Sequence, residues 1–205
     1  MRFFVLGANG KTGSEFLDLA LAKGHWVTAY VRSPWKITRR DPGLTVVQGD
    51  LTNVEGMAEA MKGHDAVISA LGPTPGEAFK PHHLLDEMAF RTAAAMEHAG
   101  VKKVYFVSSA ALFPGGGPVT RLFRWLFRHH VEDLRGAEKF LADSRLDWTI
   151  ARPPRLDKIK GESFTSREGA LPKTGFRMSF RGVANFMLQA AEKGANARQV
   201  VGLGR

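Results

Sequence analysis

Three glycines at a fixed interval offer the first chemistry in this chain. Gly7, Gly10 and Gly13 stand three residues apart, behind the apolar run Phe3-Phe4-Val5-Leu6 and ahead of a segment with helical periodicity. A strand that turns through glycines into a helix leaves backbone N–H groups facing outward with no Cβ in the way, which makes an anion site. Asn9, Lys11 and Thr12 lie between the glycines and add an amide, an ammonium and a hydroxyl to the loop. About 20 residues further on, where an acid would bind the ribose of NAD, the chain reads Tyr30-Val31-Arg32-Ser33. Arg32, with Lys36 or Arg39 behind it, instead suits a phosphate on that ribose, because a guanidinium meets phosphate as a charge-assisted fork. The spacing predicts a dinucleotide diphosphate on the glycine loop and NADP(H) as the cofactor.

Other polar or small residues close the later apolar runs. In Gly49-Asp50-Leu51 the carboxylate can accept from an adenine amino group while Leu51 packs on the ring. The alternative is a helix N-cap at Asp50 or Thr52. Ala70-Leu71-Gly72 presents small residues to the same dinucleotide. The pairs His82-His83 and His129-His130 invite a metal, but adjacent helical side chains diverge by about 100°. No Cys or Glu-x-x-His pattern completes a ligand set, so no metal is expected. His82, in the loop after Gly72, is a candidate for substrate contact.

Alternating strands and helices must position these groups. Residues 2–6 form a first strand; Phe16, Leu19, Ala20 and Lys23 share a helical face that Gly24 ends. His25 to Val31 is a second strand rich in β-formers, and residues 33–43 are a loop. Leu44 to Val47 is a third strand, Asp50 to Met61 carries a short helix, and Asp65 to Leu71 is a fourth strand. Leu85, Met88, Ala89, Thr92, Ala93 and Met96 keep helical spacing as far as Gly100, and Lys103 to Val107 is a fifth strand. A basic, aromatic-rich helical region covers about 119–143, and Trp148 to Ala151 is a sixth strand. A helix over about 182–193 and a strand from Val200 to Leu203 follow. This alternation predicts one α/β domain over residues 1–205, a parallel sheet with right-handed crossovers and helices on both faces. Substrate-side loops are expected at about 72–82, 112–130 and 153–178, the last irregular and following the sixth strand at the ligand-binding edge.

Composition narrows the class. With 205 residues, 44% apolar and 24% charged, the chain reads as one ordinary soluble domain rather than a disordered one. It lacks the run of about eighteen apolar residues that a membrane span needs, and its start has no signal-peptide core. The absence of cysteine excludes disulfide and thiolate chemistry, and a cytoplasmic location is the expectation. A net charge of +9 suits an anionic cofactor. The basic residues are scattered and no nucleic-acid module is visible, so nucleic acid is not expected as a partner. Arg121, Arg124 and Arg128 form the one denser group, with an apolar stripe opposite. That stripe is expected to pack on the sheet, to cover the site as a lid behind Gly115-Gly116-Gly117, or to pair with a sister subunit in a homodimer through 119–131. Lying on a membrane is the less favoured reading.

Taken together, Gly7-Ala8-Asn9-Gly10-Lys11-Thr12-Gly13, Val31-Arg32, Gly49-Asp50-Leu51, Ser69-Ala70-Leu71-Gly72, Gly100-Val101-Lys102-Lys103-Val104 and Val107-Ser108-Ser109-Ala110 resemble the atypical short-chain dehydrogenase/reductases. The run from Leu141 to Leu156, with Asp147-Trp148-Thr149-Ile150-Ala151-Arg152-Pro153-Pro154 at its centre, is similar to the NAD(P)H-binding branch that holds biliverdin-IXβ/flavin reductase and the NmrA-like proteins. The resemblance implies a Rossmann-like doubly wound fold and NADP(H). It also implies hydride transfer to a flavin, quinone or similar planar conjugated acceptor, or else a non-catalytic NADP(H) sensor of the NmrA-like kind. It places Ser109 as a catalytic hydroxyl beside the nicotinamide, Ser108 next to it at the cofactor, and Pro153 and Pro154 at the turn that meets the carboxamide. Arg155 falls where the flavin reductase carries a substrate-facing histidine. Alignment through Glu138 and Ser144 puts His130 at the position of the usual catalytic tyrosine and Leu134 at that of its lysine. His130 is therefore a candidate proton donor, although it also lies on the apolar face Val119, Leu122, Phe123, Leu126, His130, Leu134.

Overall fold

Phe3, Phe4, Val5 and Leu6 are apolar on both sides of the pleat, so the strand they form must be covered on both faces. In the computed structural model, which describes residues 1–72, 84–115, 117–173 and 176–205, this strand is β1 (Arg2–Leu6) and all four side chains are fully buried. Parallel to it run β2 (Trp26–Val31), β3 (Leu44–Gln48), β4 (Ala66–Ser69), β5 (Lys103–Val107), β6 (Asp147–Arg152) and β10 (Gln199–Gly204). Between β6 and β10 in the chain come β7 (Arg155–Asp157), β8 (Thr165–Glu168) and β9 (Arg177–Ser179). The main sheet is ordered β3-β2-β1-β4-β5-β6-β10-β8, with β8 antiparallel at the edge. The chain winds outward from β1 to β3, then returns to place β4 on the other side of β1. The resulting switch point opens a crevice beside the carboxyl end of β1.

Two apolar layers cover the sheet. On one face, α1 (Lys11–Ala22) and α6 (Phe180–Lys193) pack Phe16, Ala184 and Met187 against Phe3 and Val5. On the other, α2 (Val54–Met61), α3 (Leu84–Ala99) and α5 (Arg128–Asp143) bring Met57, Met96 and Ala137 onto Phe4 and Leu6. The start of α3 is held from a distance. The Asp133 carboxylate on α5, only 2% exposed, accepts from the backbone N–H groups of Leu85 and Asp86 at 2.9 and 3.0 Å. Those amides have no acceptor within their own helix.

Two expectations need correction. The region 119–143 is two helices, α4 (Pro118–Leu126) and α5, with a break at Phe127; the apolar face that seemed to run from Val119 to Leu134 is therefore not continuous. Residues 153–178 are also less irregular than their composition suggests. They hold β7 and β8 and lead into β9, which pairs in parallel with β7. Thr165, Ser166, Arg167 and Glu168 are all exposed, so they carry no apolar alternation, and pairing with β10 alone makes them a strand.

Candidate functional site

The glycine loop is built by close approach. Gly7 has a φ of +77°, and a Cβ there would lie 2.5 Å from the Ala70 carbonyl oxygen at the end of β4. A Cβ on Gly13 would fall 2.2 Å from the Gly7 oxygen, so α1 rests directly on the loop it follows. Gly10 donates its N–H to Gly7 O at 2.9 Å, closing the turn. As the N-cap of α1 it has no side chain to offer, and the first turn carries no acid. By contrast α2 is capped by Asn53, α6 by Ser179 and α3 by Asp133. Among the described residues, the first-turn amides of α1 therefore have no side-chain acceptor, at the positive end of the helix dipole. That donor set fits a dinucleotide diphosphate. Thr12 is buried beneath it. Asn9 Nδ2 donates to the Ser33 carbonyl at 3.1 Å, tying the loop to the end of β2. The Lys11 ammonium lies 5.1 Å from the centre of the Phe180 ring, a cation–π contact that joins α1 to α6.

Beyond β2 the surface is basic. Arg32 and Lys36 are both exposed, Lys36 at the end of a 3₁₀ turn, Pro34–Lys36. Arg39 is drawn away: it pairs with Asp18 on α1 and lies 3.7 Å from Asp41. Asp50 accepts from the Thr52 N–H at 2.9 Å. Hydrogen bonds from Thr52, followed by the charges of Arg32 and Arg91, hold its carboxyl below the ordinary aspartate value. The cap of α2 belongs to neither Asp50 nor Thr52. Asn53 takes it, accepting from Gly56 N–H at 2.9 Å, because the Asp50 carboxylate is spent on its own turn. Leu51 is half-buried against the core. Gly49 is required, since a Cβ there would lie 2.0 Å from the Tyr30 ring, whose hydroxyl donates to Asp50 O at 3.2 Å. At the end of β4, Ala70 N–H bonds Leu6 O at 3.0 Å; Leu71 is half-buried and Gly72 exposed.

The carboxyl ends of β5 and β6 form the other bank. Ser109 is half-buried, and its Oγ accepts from Ala111 N–H at 3.2 Å, which leaves its own O–H to donate elsewhere. Ala110 N–H donates to the Pro153 carbonyl at 2.8 Å and locks the two banks together. Pro153 is buried and Pro154 half-buried; neither has an N–H to offer a ligand. Ser108 is buried, and its hydroxyl donates to Glu138 on α5. The same carboxylate receives Arg152 Nε at 3.0 Å and Nη2 at 2.5 Å, and the Arg152 guanidinium sits 4.6 Å from the Phe113 ring centre. His130 is half-buried near the start of α5, and Leu134 is 2% exposed in the core. Arg155 is exposed and lies 3.5 Å from Asp157, whose same oxygen is 3.4 Å from Arg177. His82 lies outside the described residues.

The sheet thus brings the glycine loop, Asp50, Ala70 to Gly72, Ser109 and Pro153 to successive strand ends, all on one edge. Reading the sequence for ligands overlooks Asp133 and passes over the pairing of Glu138 with Arg152. The available signal was a charged residue, Glu138, four positions beyond a core leucine on one helix, matched by an arginine ending an apolar strand.

A parallel sheet with this switch point and an uncapped glycine loop defines a Rossmann-like nucleotide-binding protein. The chain belongs to the NAD(P)H-binding family, whose model matches residues 7–193. It is similar to photosystem II assembly factor Ycf39 of Synechocystis, 30% identical over 73% of this chain and 43% of that protein. It is also similar to the uncharacterized protein YwnB of Bacillus subtilis, 33% identical over 60% of this chain and 54% of that one. The chain spans about half the length of these curated relatives. Among solved structures, the oxidoreductase ylbE from Lactococcus lactis superposes with a TM-score of 0.84 at 19% identity, over 100% of this chain and 91% of that one. A short-chain dehydrogenase/reductase of Veillonella parvula in complex with NADP gives 0.78 at 21%, over 100% and 94%. The likeness to solved short-chain dehydrogenase/reductases, at 20–21% identity, is one of fold, and the family shown for the chain is the NAD(P)H-binding one. No helix among the described residues is long and apolar enough to cross a membrane.

Proposed function

We propose that the chain is an NADPH-dependent reductase that passes hydride to a flavin, quinone or similar planar conjugated acceptor. The observation that carries this reading is the uncapped amide cradle of α1 beside an exposed arginine, at a strand end without an acid. When bound, the reduced nicotinamide supplies the hydride. The first-turn amides of α1, with Asn9, Lys11 and Thr12 around them, hold the diphosphate. Arg32, seconded by Lys36, takes the ribose phosphate. Asp50 and Leu51 frame the adenine, and Ala70 to Gly72 let the dinucleotide lie close to the sheet. Ser109 donates its free O–H toward the acceptor or the carboxamide, while Pro153 and Pro154 shape the wall opposite. Arg155, and His82 between β4 and α3 in the sequence, are assigned to an anionic acceptor, and His130 to proton delivery. Leu134 has no ammonium to lower a neighbour's pKa, which favours acceptors that draw their proton from solvent.

Leu134 also favours a second reading, a non-catalytic NADP(H) sensor. Mixing the protein with NADPH and FMN or a quinone dye, and following the nicotinamide absorbance, separates the two. Turnover is expected; tight binding without turnover across a panel of planar acceptors would establish the sensor instead. The cofactor preference has its own test. Arg32→Asp is expected to weaken NADPH binding by about ten- to a hundredfold, the worth of one charged hydrogen-bonded contact, with little effect on NADH. An unchanged ratio of the two affinities, measured by calorimetry, would remove Arg32 from the selection of cofactor.

A further inference from the structure

Among the described side chains of α4, one arginine is turned inward while three large apolar residues are exposed. Arg124, in the second half of the helix, points into the protein: its Nε donates to the Ala111 carbonyl at 2.7 Å, Nη1 to that of Gly115 at 2.7 Å, and Nη2 to that of Phe113. Leu122, Trp125 and Leu126, spaced i, i+3, i+4, are 56%, 63% and 47% exposed. A surface helix more often keeps its leucines on the core. For Leu122 and Leu126 the expectation that the apolar stripe packs on the sheet is therefore overturned. Three carbonyls left open by the turn at Ala110–Leu112 and the chain after it claim the guanidinium, and that rotates the apolar residues outward.

The surroundings of the stripe say what would cover it. Arg121 and Arg128 are exposed on either side of it, and residues 117–131 contain no acid at all. A two-fold pairing of this face with a second copy would gather four arginines at the contact, with Glu132, just beyond the segment, as its nearest acid in sequence. An apolar strip that carries an exposed tryptophan and is flanked by arginines matches the boundary of an anionic bilayer, where indole and leucine enter the headgroup region and guanidinium meets phosphate. We propose that α4 docks the protein reversibly on an anionic lipid surface through Leu122, Trp125 and Leu126, with Arg121 and Arg128 on the lipid phosphates. The three inward bonds of Arg124 fasten this helix to the loop that carries Ser109, so docking holds the acceptor edge of the sheet close to the lipid. The proposal is independent of which acceptor, if any, the site reduces.

The test is co-sedimentation with vesicles of phosphatidylcholine alone and of phosphatidylcholine mixed with phosphatidylglycerol. Sedimentation velocity on the protein without lipid accompanies it. Partitioning onto the mixed vesicles and not the neutral ones is expected. Replacing Arg121 and Arg128 by glutamine should cost roughly thirtyfold of that partitioning. The double variant Leu122→Glu, Trp125→Glu should abolish it, with thermal unfolding and NADP(H) affinity unchanged, so that loss of fold is not the cause. No partitioning, equal partitioning onto neutral vesicles, or partitioning that survives the double variant would each overturn the proposal. So would a dimer in solution that the same double variant dissociates, which would make a second copy the occupant of this face.

Discussion

Gly13→Ala is expected to cost about 1–3 kcal/mol of folding stability and on the order of a hundredfold in dinucleotide affinity. The added methyl would sit 2.2 Å from the Gly7 carbonyl oxygen and 2.9 Å from the Ala8 Cα. Both are backbone atoms and neither can swing aside, so α1 must lift off the loop. Lifting turns the first-turn amides away from their common focus, and two charge-assisted hydrogen bonds to a diphosphate are enough to account for the hundredfold. Gly72→Ala is the control. It lies on the same edge but has nothing among the described residues within 4 Å of the added Cβ, and stability should be unchanged. Calorimetric titration with NADP(H) and urea unfolding of both variants check the pair. Equal stability and affinity of the two variants would mean that α1 accepts the methyl without moving off the loop.

Glu138→Ala is expected to cost about 3–5 kcal/mol, because it strands a guanidinium in the protein. The side chains of Glu138 and Arg152 are 7% and 14% exposed, and the carboxylate is also the acceptor of the buried Ser108 hydroxyl. Removing it leaves a charge and a hydroxyl without their acceptor. The double replacement Glu138→Leu, Arg152→Met should recover much of the loss, since apolar groups of similar volume often replace a buried ion pair at little cost. A double-mutant cycle by urea unfolding measures the coupling. A single-variant loss below about 1 kcal/mol, the worth of a surface pair, would show that the pair contributes little despite its burial.

The sheet was legible because each strand is short, rich in β-branched and aromatic residues, and bounded by glycine or polar punctuation, as in Trp26 to Val31 or Lys103 to Val107. The cofactor loop was legible for a related reason: glycine spacing reports directly on where a Cβ cannot fit. Long-range polar bonds left no comparable mark. Asp133 caps a helix whose start lies 48 residues away in the chain, and nothing around it in sequence announces that partner. Glu138 served as a landmark for alignment while its three-way grip on Ser108 and Arg152 went unseen, since a charge on a helix reads first as a solvated face. Packing of the α4 stripe on the sheet, one of the placements the periodicity allows, fails for the opposite reason. Hydrophobic periodicity locates an apolar stripe but not the side that holds it, and here the carbonyls gathered by Arg124 decide.

One of the two outer positions in the main sheet is occupied by Thr165 to Glu168, lying antiparallel on β10. A Cβ on Gly202 would meet the Ala170 carbonyl oxygen at 2.1 Å, so the segment leaving this ribbon is pressed tightly against its neighbour. Long flat rims invite strands from other molecules, and a brief hydrophilic selvedge bearing both signs of charge discourages them. On this side, the protein can be concentrated with less risk of stitching itself into fibrils.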